Sequence, residues 1–315
     1  MDTISKMSVV IVAYRRNREL LRCMDSCCRF IDFPFEIIVV DNGCEDECKA
    51  ISERFAAENG VPVTYFCPEK NLGVSGGRNI GASLAKSDVL YFLDDDAWIV
   101  EVKGSMKKIV EDRRSNLREY IFSNPVHNIN YDVWMRPPKY CRDTKILYFC
   151  GASHFVFIDR LPDRHLYPDA LFYGHEDLNL SLDVWALGGE IGWTEDLIVW
   201  HSSGGKRGKY EEERFYAIGN KYAVRAAHFP KEYQVSLLLG LVVRCVKFWR
   251  WKLLKSLACI RYGLSTKRKI RPLVRPLSPE QSRFLIDSFG KGILTEISHT
   301  GSDERPPSKT VIYQE

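Results

Sequence analysis

The sequence predicts an α/β protein: a mostly parallel sheet flanked by helices, followed by a basic, helical C-terminal extension. Three observations carry this. Short apolar, β-branched runs recur through the first hundred residues, in MSVVIVAY, FEIIVVDNG, VPVTYFC and DVLYFLD. Segments of helical pattern separate them, and alternation of this kind argues for parallel strands joined by right-handed crossovers. Finally, no Asp or Glu occurs between Tyr233 and Pro279, while Lys and Arg crowd the same stretch.

Taken in order, MSVVIVAY reads as a strand covered on both faces, since its apolar run does not alternate with polar residues. Asn17 can cap the helix RELLRCMDSCCRF that follows. FEIIVVDNG is a second buried strand, and the helix ECKAISERFAAEN stops at Gly60. VPVTYFC is a third strand, GGRNIGASLAKS a short helix with small residues on its packing face, and DVLYFLD a fourth strand. A helix is expected over roughly 101–114. The middle is less regular, with strand candidates REYIFSNPV, KILYFCG and HFVFIDR and a loop RPPKY. A helix from Glu176 to Leu187, a strand around EDLIVW, a Gly-rich loop SSGGKRGK and a helix from Tyr210 to His228 complete the pattern. The basic segment reads as one or two helices, and the end, HTGSDERPPSKTVIYQE, as disordered tail.

At 315 residues, 45% hydrophobic and 27% charged, the chain has material for one large α/β domain with an extension. The N-terminus shows no basic region followed by an apolar run and cleavage site, and the ten cysteines show no paired zinc spacing. They read as reduced thiols of a cytoplasmic protein. No apolar run approaches the ~18 residues of a spanning helix; VSLLLGLVV is about half that.

The chemistry concentrates in DVLYFLDDDAW, where a buried strand ends in Asp94, Asp95 and Asp96. In open parallel sheets ligands bind beyond the carboxyl ends of the strands. Asp41 ends the second strand and the Tyr14–Arg16 turn ends the first, so these residues share one rim. In extended backbone Asp94 and Asp96 project to one side and Asp95 to the other. Such a cluster suits a divalent cation, Mg²⁺ or Mn²⁺; the same run also suits the N-terminus of a helix.

VVIVAYRRN, IIVVDNG, NLGVSGGRNIG and YFLDDDAW, in that order, resemble the nucleotide-sugar half of a family 2 glycosyltransferase with the GT-A fold, a Rossmann-like sheet. The likeness extends more weakly to about residue 230. It implies a catalytic domain over 1–230, with a nucleotide-sugar half at about 1–100 and an acceptor half at about 115–230. Residues 231–299 form the extension and 300–315 the tail. On that resemblance Ala13, Tyr14, Arg15 and Asp41 meet the nucleoside, with Asp95 on the same rim. Gly73 and Gly76–Gly77 let the chain pass close to the nucleotide, and Arg78 lies near the diphosphate. Asp94 contacts the ribose or joins Asp96 in holding the metal.

LFYGHEDLNLSLDVWALGG followed by WTEDLIVWH is similar to the family's second constellation. It implies that Asp177 is the base, that Glu176 orients the acceptor and that His201 completes the metal site. Asn179 and Asp183 stand where the family often has Asp and Arg. Gly219 stands where rhamnosyl-transferring relatives carry Arg. The implied activity is metal-dependent, inverting transfer of a sugar, from a UDP- or dTDP-sugar foremost, to a hydroxyl of a glycan or lipid-linked acceptor in cell-surface polysaccharide assembly. Neither a P-loop nor the G-x-G-T-R loop of sugar-nucleotide nucleotidyltransferases occurs. The extension combines Trp, Phe and Leu with Lys and Arg, which suits contact with the anionic inner leaflet and a peripheral location on the cytosolic face. No nucleic-acid recognition motif accompanies its charge.

Overall fold

The computed structural model describes residues 4–135, 141–142, 145–202, 210–249, 252–289 and 294. The RPPKY loop, most of SSGGKRGK and the expected tail lie outside the described residues.

The chain runs β1 (Met7–Ala13), α1 (Asn17–Phe30), β2 (Phe35–Asp41), α2 (Asp46–Asn59), β3 (Val63–Phe66), α3 (Gly73–Leu84) and β4 (Val89–Leu93). Next come β5 (Ala97–Val102), α4 (Met106–Ser115), β6 (Glu119–Ser123), β7 (Val126–Asn128), β8 (Val133–Met135), β9 (Cys141–Arg142), β10 (Lys145–Ile146) and β11 (Ser153–Phe157). The remainder is α5 (Glu176–Ala186), β12 (Glu190–Trp193), β13 (Leu197–His201), α6 (Tyr210–His228), α7 (Gln234–Trp249), α8 (Leu253–Ile270) and α9 (Pro279–Phe289).

The main sheet has the order β3-β2-β1-β4-β11-β6-β12-β10-β9. Its first four strands are parallel, as expected. Beyond β4 the sheet is mixed, because β11 runs antiparallel to both β4 and β6. The expectation of a mostly parallel sheet therefore holds for the first half only. Within the second half β12 is again parallel to β6, and β10 is antiparallel to β12.

The strand runs are buried on both sides. Val10, Ile38, Val40, Leu90 and Phe92 face one core, while Val9, Ile11, Ile37, Val39 and Tyr91 face the other, the period of 2 that a pleated strand imposes. Tyr91, Phe155 and Phe122 stack across neighbouring strands with ring centroids 4.1 and 4.2 Å apart. Helix α3 lies close on β1, since a Cβ at Gly81 would come within 2.2 Å of Val10 and one at Gly77 within 2.6 Å of Val12.

The helix expected over 101–114 begins later. Residues 97–102 form β5, paired with β13 in a second sheet of order β5-β13-β7-β8. Ser105 then caps α4 by accepting from the Lys108 backbone N–H. That pairing partner lies a hundred residues away in sequence, so local pattern carried no trace of it.

Cysteine chemistry is corrected at one pair: Cys44 and Cys67 form a disulfide with Cα atoms 5.3 Å apart. Parallel pairing of β2 with β3 sets the loops that leave them side by side. Cys23, Cys27, Cys28, Cys48, Cys150, Cys245 and Cys259 are thiols.

The C-terminal helices share the core of the sheet. Leu237, Leu241, Cys245 and Trp249 of α7 and Cys259 and Ile270 of α8 join one cluster with α5, α6 and the strands. Two departures from the family pattern serve this docking. A Cβ at Gly219 would meet the Tyr262 ring of α8 at 2.4 Å, so only glycine admits that ring. Asp183 accepts from the Arg275 backbone N–H at 2.8 Å and lies 3.3 Å from His228, tying α5 to α6 and to the segment after α8. Among the described residues no helix is long and apolar enough to cross a membrane.

Candidate active site

The sheet order 3-2-1-4 reverses between β1 and β4, which opens a crevice beyond their carboxyl ends. The Tyr14–Arg16 turn and the three aspartates meet there. The aspartates form a turn, closed by the Ala97 N–H donating to the Asp94 carbonyl at 2.9 Å, rather than an extended segment. Asp95 and Asp96 share one Arg16 nitrogen, at 2.9 and 3.0 Å, so the two carboxylates are not parted to opposite sides as extended backbone would place them. Asp95 accepts from the Tyr14 backbone N–H at 3.0 Å and from Arg16 at 2.9 Å, so it is a buried clasp between the two strand ends.

Asp94 and Asp96 come together with His201, which the last residue of β13 delivers from the second sheet. His201 Nε2 lies 3.0 Å from Asp96 Oδ1 and 3.8 Å from Asp94 Oδ2. One ligand atom from each residue falls within a 4.8 Å group. Asp96 Oδ2 and His201 Nδ1 are buried and take no hydrogen bond among the described residues. Two carboxylates and an imidazole, with Asp96 Oδ2 facing the Arg16 guanidinium at 3.0 Å, fit a divalent cation of the Mg²⁺ or Mn²⁺ type. Burial alone would raise the Asp96 pKa, but the hydrogen bond from His201 and the charges of His201 and Arg16 bring it below the usual carboxylate range. Burial correspondingly lowers His201, yet the bond to Asp96 outweighs it and leaves the imidazole pKa raised.

Arg78 connects this group to the second constellation. Its guanidinium donates to Asp94 at 2.9 Å, to Glu176 at 3.0 Å and to the Gly151 carbonyl at 2.7 Å. The side chain is buried, and Arg78 braces the two carboxylates. Glu176 and Asp177 open α5 directly beside it. His175, in the left-handed region at φ 68°, turns the chain into that helix. Burial pushes both carboxyls upward, with Arg78 opposing it at each and a hydrogen bond from the Leu178 N–H further opposing it at Asp177. Such groups are candidates for proton transfer near neutrality.

The nucleoside-side residues divide. Ala13 contributes its carbonyl to the Asn42 N–H, and Tyr14 and Arg15 stand at the surface with the guanidinium 5.3 Å from the Tyr14 ring. Asp41, by contrast, is buried and committed: it accepts from the Gly43 and Glu45 N–H groups at 2.8 Å each and from Tyr65 at 2.9 Å. Its carboxylate shapes the turn after β2. Gly73 accommodates protein, since at φ 72° its absent Cβ leaves room for the Phe172 carbonyl, to which Val74 N–H donates. Gly76 and Gly77 likewise abut Leu72 and Val12.

Sequence reasoning missed two residues. Arg16 lies within 2.9 Å of Asp95 and 3.0 Å of Asp96, whereas it was the neighbouring Arg15 that had been singled out. Adjacent arginines in a turn point apart, and pattern does not say which points inward. Asn42 donates to the Gly73 carbonyl and accepts from Leu72 N–H, tying β2 to the start of α3.

With this geometry in view, comparison with known proteins is informative. Across 90% of this chain and 89% of the other, the structure superposes on S. aureus TarS 1-349 in complex with UDP, at 16% identity and a TM-score of 0.57. It also matches GalNAc-T7 with UDP, GalNAc and Mn²⁺, over 74% of this chain and 50% of the other, at 19% identity and a TM-score of 0.54. These likenesses define the fold as GT-A. Residues 8–149 match the model of Glycosyl transferase family 2. A curated relative, an undecaprenyl-phosphate 4-deoxy-4-formamido-L-arabinose transferase of Pseudomonas savastanoi pv. phaseolicola, is 30% identical over 30% of this chain and 28% of its own length. The first curated relatives are matched over 29%, 15% and 23% of their lengths.

Proposed function

We propose that this protein transfers a sugar from a nucleoside diphosphate donor to a hydroxyl of a glycan or lipid-linked acceptor, with inversion and with a divalent cation. The observation that carries the reading is the convergence, at the crevice between β1 and β4, of Asp94, Asp96 and His201 with the braced pair Glu176–Asp177. UDP and Mn²⁺ in the GT-A neighbours support the donor and metal assignments. The undecaprenyl-phosphate transferase supports a lipid-linked acceptor. A UDP- or dTDP-sugar, a role in cell-surface polysaccharide and a peripheral position on the cytosolic membrane face complete the proposal.

Asp94, Asp96 and His201 would hold the cation, which when bound offsets the charge of the departing diphosphate. The surface ledge of Tyr14 and Arg15 receives the nucleoside. Asp177 takes the proton from the acceptor hydroxyl as that oxygen attacks the anomeric carbon opposite the leaving group. Burial suits it to this, because a carboxylate of raised pKa is a stronger base while still ionised near neutrality. Glu176, fixed by Arg78, orients the acceptor.

The test is calorimetric binding of UDP, dTDP and GDP, each with and without Mn²⁺, to the wild type and Asp96→Ala. Metal-dependent binding of one nucleotide, lost in the variant, is the expected result. Absence of binding to any of them makes the aspartates structural and the protein a non-catalytic scaffold.

A further inference from the structure

Helix α7 is apolar on two faces. One, at Leu237, Leu241, Cys245 and Trp249, is buried against the domain. The other, at Val235, Leu238, Leu239, Val242, Val243 and Val246, faces solvent. Those six recur at i, i+3, i+4, i+7, i+8 and i+11, a continuous stripe along the helix. Leu239 and Val243 at its centre are 60% and 62% exposed. Helix α8 extends the surface. Leu253, Leu254 and Leu257 are exposed near the α7–α8 connection, and Arg261 and Arg268 continue the face begun by Leu253 and Leu257. Lys247, Lys269, Arg271 and Arg275 are exposed in the same segment.

We infer that the α7–α8 face docks on an anionic lipid bilayer, the stripe entering the acyl boundary and the basic residues meeting the headgroups. This deepens the proposed function by naming where a lipid-linked acceptor is met. Large exposed apolar patches mark interaction surfaces, and here the charge selects the partner. With no Asp or Glu from 234 to 278, a two-fold pairing of identical copies would set this positive field against itself. An anionic surface complements it. The stripe consists of aliphatic side chains without a hydrogen-bonding group, which suits acyl chains.

The face is fastened to the catalytic machinery. Tyr262 of α8 donates to Asn220 of α6 at 2.8 Å. Asn220 in turn donates to the carbonyls of Tyr173 and Gly174 at 3.0 and 3.1 Å, and that loop leads directly into Glu176 and Asp177. At the tip of the α7–α8 pair, Lys252 and Lys255 hold Glu211 at 2.8 and 2.6 Å, on the first turn of the helix that follows His201. A bilayer on this face therefore has a fixed relation to the acceptor pair.

The experiment is flotation of the full chain with phosphatidylcholine vesicles, with and without phosphatidylglycerol, for the wild type, Leu239→Glu/Val243→Glu and Arg261→Glu/Arg268→Glu. All substituted residues are exposed, and thermal melts check that each variant is folded. Expected are flotation with the anionic vesicles only, weakening with added salt, loss in the first variant, and about a fivefold drop in partitioning per basic residue removed. Failure of the wild type to float overturns the inference, as does undiminished flotation of the folded Leu239→Glu/Val243→Glu variant. A dimer that this variant converts to monomer, without vesicle binding, assigns the face to a second copy instead. UDP binding measured on the same samples separates this from the proposed function: retained nucleotide binding without flotation refutes only the membrane face, and flotation without nucleotide binding refutes only the transferase reading.

Discussion

Replacing Arg78 with methionine keeps most of the side-chain volume and removes the charge that joins the two halves of the site. Three contacts disappear, to Glu176, Asp94 and the Gly151 carbonyl. Asp94 is one-third exposed and regains water, so its loss counts little. Glu176 is buried, and its Oε2 already lacks a hydrogen-bond partner among the described residues. Stranding such a carboxylate costs about 3–5 kcal/mol. The carboxyl escapes part of this by taking a proton. Its folded pKa is already raised to about 7 by burial, with Arg78 the chief opposing influence, and loss of Arg78 raises it further. A carboxyl whose folded pKa exceeds its unfolded value gains stability as pH falls. The deficit of Arg78→Met, read by urea denaturation against the wild type, is therefore expected to be full at about pH 8 and clearly smaller at about pH 5. Arg78→Met/Glu176→Gln should recover much of it at the higher pH. Turnover of the single variant should fall about a hundredfold, the effect of letting a site carboxylate shift by roughly an ångström. A variant within about 1 kcal/mol of wild type at both pH values would refute the bracing role.

Three further outcomes follow from the site and its packing. Asp177→Asn should lower kcat by roughly 10²–10⁴-fold while leaving nucleotide affinity intact; the wild-type rate should decline as pH drops through about 6, where burial places this base, and unchanged kcat in the variant would move the role elsewhere. His201→Ala should weaken metal-dependent nucleotide binding, and Asp96→Ala should weaken it more, because Asp96 bonds both His201 and Arg16; equal, metal-independent affinities in calorimetry would exclude the cation site. Gly81→Val places side-chain atoms where Val10 already lies and should destabilise by about 1–3 kcal/mol in thermal melts through overpacking; a neutral result would mean that α3 can lift from β1.

The alternating strand and helix pattern made the first ninety residues legible, because each crossover unit is local and each buried strand is a continuous apolar run. The aspartates were legible as a rim cluster for the same reason. Their division of labour was not. Asp95 and Asp41 look like ligand groups in sequence, yet both spend their oxygens on neighbouring N–H and side-chain donors. The resemblance sets Arg78 near the diphosphate, and the fold encloses its guanidinium between two carboxylates.

By itself, then, the sequence determined the parallel half of the sheet, the aspartates at its rim, and the basic, acid-free character of the C-terminal segment. These depend on periodicity and side-chain chemistry, which are local. Only the tertiary structure decided that β5 pairs with β13 to bring His201 onto Asp96, that Arg16 rather than Arg15 turns inward, and that Gly219 and Asp183 receive the C-terminal helices. Each of these is a contact between residues distant in sequence, made once a strand register or a helix face is fixed by burial.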